Sequence, residues 1–221
     1  MAEDESLHST EYPPALPAQF RSGFVAILGR PNVGKSTLLN QLLGEKIAIV
    51  SPRPQTTRNR IMGIKTLPEG QILLLDTPGI HRAKSLLNRR MVDVARRSLG
   101  DVEAVVWVVD ARSGLKADDE DIAGLLASSR RQTLIALNKI DAVAKGRLLP
   151  VMARLGGLLP DREIVPISAR TGDNVPLLVE RILGGLPVGP RYFPGDQLTD
   201  QAERFIAAEM VREKVFLRTR Q

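Results

Sequence analysis

The chain has no cysteine among its 221 residues, so disulfides, thiolate metal sites and a cysteine nucleophile are excluded. It also has no apolar run close to the ~20 residues that a membrane-spanning helix requires. Its first residues, Met1–Glu5, are acidic where a secretion signal would be basic and then apolar. These absences predict a cytoplasmic globular protein in which any metal ion is bound by oxygen ligands.

The remaining composition suits one globular domain with appendages. Hydrophobic residues make up 43% of the chain, enough to bury a full core. The net charge is +6, and much of the excess lies in adjacent arginines such as Arg89-Arg90 and Arg96-Arg97. A basic balance favours a nucleic acid or an anionic membrane surface as partner. Adjacent arginines are equally typical of a solvated helix face, so charge alone leaves both interpretations open.

Apolar runs alternate with amphipathic stretches from Phe24 onward. Near-continuous apolar strands separated by helices predict an α/β fold, with a mainly parallel sheet covered by helices on both faces. Ligands of such sheets bind at the carboxyl ends of the strands. The predicted strands cover residues 24–28, 61–64, 72–75, 104–109, 133–137 and 163–167.

The first predicted strand leads into a Gly-x4-Gly-Lys-Ser sequence, Gly29–Ser36. Its glycines let backbone N–H groups converge on phosphate oxygens, and the following helix directs its positive dipole end at them. In this pattern Lys35 reaches the β and γ phosphates, and Ser36 offers an oxygen to Mg²⁺. Residues 37–43 supply the helix, which Gly44 ends. The stretch therefore predicts a phosphate-binding loop, or P-loop, against the alternative of an ordinary glycine-containing turn.

A second motif, Asp76-Thr77-Pro78-Gly79, follows a buried strand. An aspartate at that point is well placed to hold Mg²⁺, usually through a water, and the Gly79 N–H can approach a γ-phosphate. Without a P-loop upstream, a plain Asp-x-Pro-Gly turn would be the better interpretation. The P-loop favours the metal role.

A third motif, the Asn-Lys-x-Asp sequence at residues 138–141, follows the next strand but one. The Asp141 carboxylate complements the adjacent N1–H and N2–H donors of guanine, whereas adenine presents no such pair. Asn138 and Lys139 would brace loops and cover the base. A Ser-Ala pair at residues 168–169 follows the last strand, where a backbone N–H would donate to guanine O6. That pair alone is equally typical of a helix-capping turn.

With these motifs in this order, the chain over residues 23–187 resembles the translation-factor-like GTPases. The segment between the P-loop helix and the second strand contains a Gln-Thr-Thr-Arg sequence at residues 55–58. This sequence is similar to that of the Era branch of bacterial GTPases. Residues 191–207 also resemble the segment that leads, in Era, from the GTPase domain into an RNA-binding KH domain. The chain is identified as a member of the Era family.

The resemblance implies a P-loop NTPase with a Ras-like G domain, which binds GTP and GDP with Mg²⁺ and hydrolyses GTP. Lys35, Thr57 and Gly79 would act in catalysis, and the Mg²⁺ ligands would be Ser36, Thr57 and Asp76. The nucleotide-binding residues implied are Asn32, Val33, Gly34, Lys35, Ser36, Thr37, Asp76, Gly79, Asn138, Lys139, Asp141, Ser168 and Ala169.

Two positions bear on the rate of hydrolysis. Ile80 stands where many relatives place a water-orienting glutamine, so slow unaided hydrolysis is expected. In related GTPases an asparagine at the position of Asn32 helps to hold a K⁺ ion, with backbone groups of residues 51–56 completing the cage. We therefore expect K⁺ stimulation, against the alternative that Asn32 only shapes the loop.

The predicted domains are a disordered extension at residues 1–21, a GTPase domain at 22–188, and a linker with a first helical segment at 189–221. A helix is expected from Asp200 to about Leu217. A KH domain needs a Gly-x-x-Gly loop, and no glycine follows Gly195. The sequence thus holds at most the start of that domain. Because its apolar face lacks most partners, the helix is expected to be mobile or swapped onto a neighbouring molecule.

Family membership implies small-subunit ribosomal RNA and the 30S subunit as partners in ribosome assembly, with some association with the inner face of the membrane and no DNA partner. RNA binding is expected to be weakened or lost without the KH domain. Three alternatives stay open. They are a nucleotide-dependent binding module with negligible hydrolysis, an ATP-driven phosphotransferase, which the Asn-Lys-x-Asp sequence disfavours, and a fragment of a sister GTPase.

Overall fold

The computed structural model describes residues 17, 19–48, 61–76 and 102–218. Its centre is a six-stranded sheet in the order β2-β3-β1-β4-β5-β6. All neighbouring strands run parallel except β2, which pairs antiparallel with β3. The strands are β1 Arg21–Leu28, β2 Ile61–Leu67, β3 Gly70–Asp76, β4 Ala104–Asp110, β5 Gln132–Asn138 and β6 Glu163–Pro166.

Helices cover both faces of this sheet. Leu38 and Leu178 belong to the buried cluster on one face, whereas Ile122 and Leu155 belong to the cluster on the other. The predicted α/β fold with a mainly parallel sheet is therefore confirmed. The helices of the described chain are α1 Lys35–Leu43, α2 Ala117–Ala127, α3 Leu148–Leu158, α4 Val175–Gly185 and α5 Glu203–Arg218.

Strand register brings the polar strand ends together. Ile27, near the end of β1, lies beside Asp76 at the end of β3. Asp110, at the end of β4, lies beside Asn138 at the end of β5. The carboxyl edge of the sheet therefore collects side chains that are far apart in the sequence.

The N-terminal extension ends earlier than the predicted boundary at residue 21. Phe20 is only 2% exposed, and β1 already begins at Arg21. The physical reason is backbone pairing with the segment after α4. The Ser22 N–H donates to the Pro187 carbonyl at 3.0 Å, and the Gly189 N–H donates to the Phe20 carbonyl at 2.9 Å.

The C-terminal segment is also attached to the sheet. The Ile64 N–H of β2 donates to the Leu198 carbonyl at 2.8 Å, so this segment covers the edge strand. The expected C-terminal helix is present as α5. At its start Phe205 and Ile206 pack against the core, so the expectation that its apolar face lacks most partners is wrong for the first turn. The pairing with β2 brings that turn onto the domain.

Among the described residues, every helix is too short or too polar to cross a membrane.

Candidate nucleotide-binding site

The P-loop lies between β1 and α1 and is held by its own lysine. Lys35 is 7% exposed, and its Nζ donates to the Gly29 carbonyl at 3.1 Å and to the Arg30 carbonyl at 3.0 Å. Asn32 and Gly34 both have positive φ, at 62° and 104°. These turns bend the loop around the amino end of α1, where backbone N–H groups and the helix dipole favour an anion.

Gly34 is required by its neighbour as well as by its backbone. A Cβ atom at this position would collide with Nδ2 of Asn138, and a φ of 104° disfavours any residue with a Cβ. The second glycine of the motif therefore serves a contact between two loops, which the spacing alone does not show.

Asn138 joins three segments of the chain through one side chain. Its Nδ2 donates to the Val33 carbonyl at 2.8 Å, while its Oδ1 accepts from the Ala169 N–H at 2.9 Å and the Lys139 N–H at 2.8 Å. The side chain is buried. The bracing expected of Asn138 is what its contacts provide, since they connect the P-loop with the loops after β5 and β6.

Lys139 makes a second connection to the P-loop. Its Nζ donates to the Asn32 carbonyl at 2.6 Å and forms an ion pair with Oδ2 of Asp110 at 2.8 Å. Lys139 has a φ of 68°, in the left-handed region. These contacts hold the ammonium group between the two loops.

Asp141 lies where its carboxylate has two partners. Ser168 donates its hydroxyl to Oδ1 at 2.6 Å, and Arg170 pairs with Oδ2 at 2.6 Å. The hydroxyl of Ser168 and the charge of Arg170 outweigh the effect of burial and lower the pKa of Asp141 below its usual range. The group is therefore a carboxylate at neutral pH, an acceptor-only partner for a donor pair such as guanine N1–H and N2–H.

The groups predicted to bind Mg²⁺ are only partly described. Ser36 is in the first turn of α1, and Asp76 ends β3 at the same edge of the sheet. A hydroxyl and a carboxylate suit Mg²⁺, which prefers oxygen ligands. Two further predicted residues, Thr57 and Gly79, lie outside the described residues, as does the segment 51–56 predicted to contribute to a K⁺ site.

Sequence reasoning missed two acidic residues and an arginine. Asp110 pairs with Lys139, and buried Asp119 accepts from Nε of the P-loop residue Arg30 at 2.6 Å. Asp110 ends β4 at the ligand-binding edge, and that position was a usable signal. The pairing of Arg30 with Asp119 joins residues 89 positions apart, so it left no sequence pattern to find.

Comparison with known proteins identifies the family. Residues 24–139 match the family model described as 50S ribosome-binding GTPase. The chain is 57% identical to GTPase Era of Geotalea daltonii over 198 residues, which are 90% of this chain and 67% of the relative. It is 46% identical to GTPase Era of Halothermothrix orenii over 206 residues, 91% of this chain and 68% of the relative.

Solved structures agree with this result. A crystal structure of Era in complex with MgGDPNP and nucleotides 1506–1542 of 16S ribosomal RNA has a TM-score of 0.85 and 43% identity, over 91% of this chain and 69% of that one. A variant of Aquifex aeolicus Era bound to GDP·AlF4⁻ has a TM-score of 0.83 and 41% identity, with the same coverage of 91% and 69%. The predicted G-domain fold and GTPase class are confirmed, and the chain belongs to the Era family of GTPases.

Proposed function

We propose that this chain binds GTP and GDP at the carboxyl edge of its sheet and hydrolyses GTP slowly. The observation that carries the proposal is the buried side chain of Asn138, which joins the P-loop to the loops containing Asp141 and Ala169. A single ligand with phosphates at one end and a purine at the other could contact the P-loop and the loops containing Asp141 and Ala169 together. Asp141, ionised and held by Ser168, would accept from the guanine ring, and the hydrogen bond from the Ala169 N–H to Asn138 Oδ1 fixes the loop after β6 beside it.

In this proposal the P-loop residues share the work on the phosphates. Residues 32–37 surround the phosphates with backbone N–H groups, and Lys35 exchanges its carbonyl partners for phosphate oxygens. Ser36, Asp76 and Thr57 hold Mg²⁺, and the Gly79 N–H binds the γ-phosphate. The ion supplies positive charge to the phosphate oxygens when it is bound.

We further propose that K⁺ stimulates hydrolysis through Asn32. The position of Asn32 in the P-loop supports this role, whereas its positive φ fits the alternative that Asn32 only shapes the loop. Turnover of the same preparation in KCl and in NaCl at equal ionic strength tests it. Faster turnover in KCl, reduced in an Asn32→Ala variant, is the expected result, and equal rates in both salts would refute K⁺ stimulation.

The proposed biological role is that of a switch in assembly of the small ribosomal subunit. The description of the family model names the 50S subunit, which is the large ribosomal subunit. A structure of Era itself, however, contains 16S ribosomal RNA, which belongs to the small subunit. Identity of 43% to that structure supports the small-subunit role here. The excess of basic residues suits an RNA partner. We place the protein in the cytoplasm, with peripheral membrane contact as part of the proposal.

A second candidate is a nucleotide-dependent binding module with negligible hydrolysis. Ile80 favours it, because an aliphatic side chain cannot orient the attacking water. Single-turnover hydrolysis of GTP, measured beside the affinity for GTP, separates the two. Tight binding with a rate no greater than that of a Lys35→Ala control would favour the binding module.

The first experiment measures binding of labelled GDP and a nonhydrolysable GTP analogue, with ADP and ATP as competitors. We expect displacement by unlabelled guanine nucleotides and none by adenine nucleotides. Repeating it with 16S ribosomal RNA tests the partner: a change in nucleotide affinity would mean that this chain carries part of the RNA surface, whereas no effect would mean a nucleotide switch that does not itself bind RNA. Displacement by ATP would contradict guanine selectivity.

A further inference from the structure

Asp110 is a buried carboxylate whose two oxygens serve different neighbours. Its Oδ1 accepts from the backbone N–H groups of Arg112 at 2.9 Å and Ser113 at 3.3 Å, which closes the turn after β4. Its other oxygen, Oδ2, forms an ion pair with Nζ of Lys139 at 2.8 Å. The turn and the ion pair can therefore be separated by changing one oxygen.

The charge of Asp110 depends on these neighbours. Burial by itself would raise its pKa, but the hydrogen bond and charge of Lys139, with the two backbone donors, hold the pKa of Asp110 below its usual range. A carboxylate that is only 7% exposed is thus ionised at neutral pH. Asp110 therefore presents a negative charge to Lys139, in the loop after β5.

Lys139 would be poorly fixed without that charge. A lysine side chain has a flexible four-carbon stem and three ammonium N–H donors, so a single partner leaves the position of its ammonium group loosely defined. In this structure two partners from different elements hold Nζ, the Asp110 carboxylate on β4 and the Asn32 carbonyl in the P-loop. The ammonium is fixed at the junction of both loops.

We propose that Asp110 is a positioning residue for guanine nucleotide binding, which acts only through Lys139. It sets the ammonium at the P-loop and so keeps the phosphate and base halves of the site in register. This inference rests on the proposed binding of guanine nucleotide. It adds a residue of β4 to a site otherwise built from residues at the ends of β1, β3, β5 and β6.

The Asp110→Asn variant tests the proposal. The asparagine keeps an Oδ1 acceptor for the Arg112 and Ser113 N–H groups, but it replaces the charged oxygen facing Lys139 with an uncharged amide. Labelled GDP should dissociate about tenfold faster, as expected for loss of one charge-assisted hydrogen bond. The control is Glu163→Gln, which breaks an exposed ion pair with Arg181 at 2.9 Å and should leave dissociation unchanged.

A double-mutant cycle with Lys139→Met distinguishes positioning from a structural role. If Asp110 acts through Lys139, the double variant should release GDP at the rate of Lys139→Met alone. Independent, multiplying effects would overturn the proposal, as would an unchanged rate in Asp110→Asn. Should the asparagine variant not fold, Asp110→Ser, with a hydroxyl able to accept in the same turn, gives the same comparison.

Failure of the proposed function has a different signature. If the unmodified chain does not bind GDP, both the function and this inference are refuted. If it binds GDP and the cycle shows no coupling, only the role of Asp110 is refuted.

Discussion

The Asn138 side chain is buried, and each of its polar atoms forms a hydrogen bond with a backbone group of another segment. It is 2% exposed and contacts the Val33 carbonyl and the Ala169 N–H. A backbone group buried without a partner loses its hydrogen bond to water and gains none in return. The geometry of the whole site therefore depends strongly on this one residue.

Replacing Asn138 with alanine should weaken GDP binding, because it removes the contacts that join the P-loop to the loops after β5 and β6. The change leaves buried donors and acceptors unpaired at about 1–3 kcal/mol each, so we expect affinity to fall by at least about tenfold. Equilibrium binding of labelled GDP measures it. Asn174→Ala is the control, since its Nδ2 donates to the Pro166 carbonyl at 2.8 Å on the exposed side. Equal losses in both variants would contradict this prediction.

The aspartates of the site give GDP binding a defined pH dependence. The pKa values of Asp110 and Asp141 are both lowered in the fold. The stabilisation they provide is present above the ordinary aspartate pKa of about 3.9 and is lost as pH falls through the lower folded values. Because the terminal phosphate of GDP itself titrates at about pH 6, the quantity to compare is the ratio of GDP affinity between the unmodified chain and Asp110→Asn, which should stay constant between about pH 8 and 5 and change only below about pH 4. Titration of both proteins checks this, and a change in the ratio centred near pH 6.5, where histidine titrates, would contradict it.

At the scale of elements, the P-loop and α2 are joined by a buried ion pair. Oδ2 of Asp119 accepts from Arg30 Nε at 2.6 Å and from the Lys116 N–H at 3.0 Å, at the amino end of the helix. Burial raises the pKa of Asp119, and the hydrogen bonds from Lys116 and Arg30 oppose that rise without cancelling it. Arg30 therefore recovers only part of the cost of burying this carboxylate.

Removing one partner of this pair should destabilise the fold. Arg30→Met leaves the Asp119 charge buried without its cation, and we expect the free energy of unfolding to fall by about 3–5 kcal/mol. The double variant Arg30→Met with Asp119→Leu should recover part of the loss, because no charge remains buried. Urea unfolding without nucleotide measures both. Arg181→Met, which breaks the exposed pair with Glu163, is the matched control and should change stability by no more than about 1 kcal/mol. An equal loss in this control would refute the argument from burial.

At the scale of the whole molecule, Gln71 attaches the C-terminal segment to the sheet. It is 0% exposed on β3, and its Oε1 accepts from the Tyr192 and Phe193 N–H groups at 2.9 Å and 3.0 Å. Its Nε2 donates to the Phe193 carbonyl at 2.9 Å and to the Thr66 hydroxyl at 2.9 Å. One buried amide thus satisfies the backbone of a segment far away in the chain.

Gln71→Leu should release this attachment while the strands stay paired. Because the leucine provides no donor or acceptor, the backbone groups of Tyr192 and Phe193 lose their partners and open to water. We expect hydrogen exchange at these two amides to accelerate at least about fivefold, since loss of one hydrogen bond is worth about 1 kcal/mol or more. Gln197→Leu is the control, because its Nε2 donates within the segment, to the Thr199 carbonyl at 2.9 Å. Unchanged protection in Gln71→Leu would show that other contacts hold the segment.

Much of the architecture could be predicted from sequence because its signals are local. Each of these signals spans only a few neighbouring residues. The apolar runs predicted β1 and β3 to β6, a glycine marked the end of α1, and short motifs follow the ends of β1, β3, β5 and β6. The convergence of the strand ends follows from a general rule for parallel sheets. Family membership and the class of enzyme were also within reach of sequence for this reason. The strand order and the antiparallel pairing of β2 with β3 are findings of the structure.

Contacts between distant segments were decided only by the tertiary structure. Asp110 with Lys139, Arg30 with Asp119, and Gln71 with Phe193 each join residues that no spacing relates. The same is true of Phe205 on the core, where pairing of the preceding segment with β2 supplies partners that a helix read alone lacks. Sequence by itself determined which chemistry stands at the ends of β1, β3, β5 and β6, because short motifs encode it. The fold decided which charges meet, because only burial and proximity in space set the energy of an ion pair.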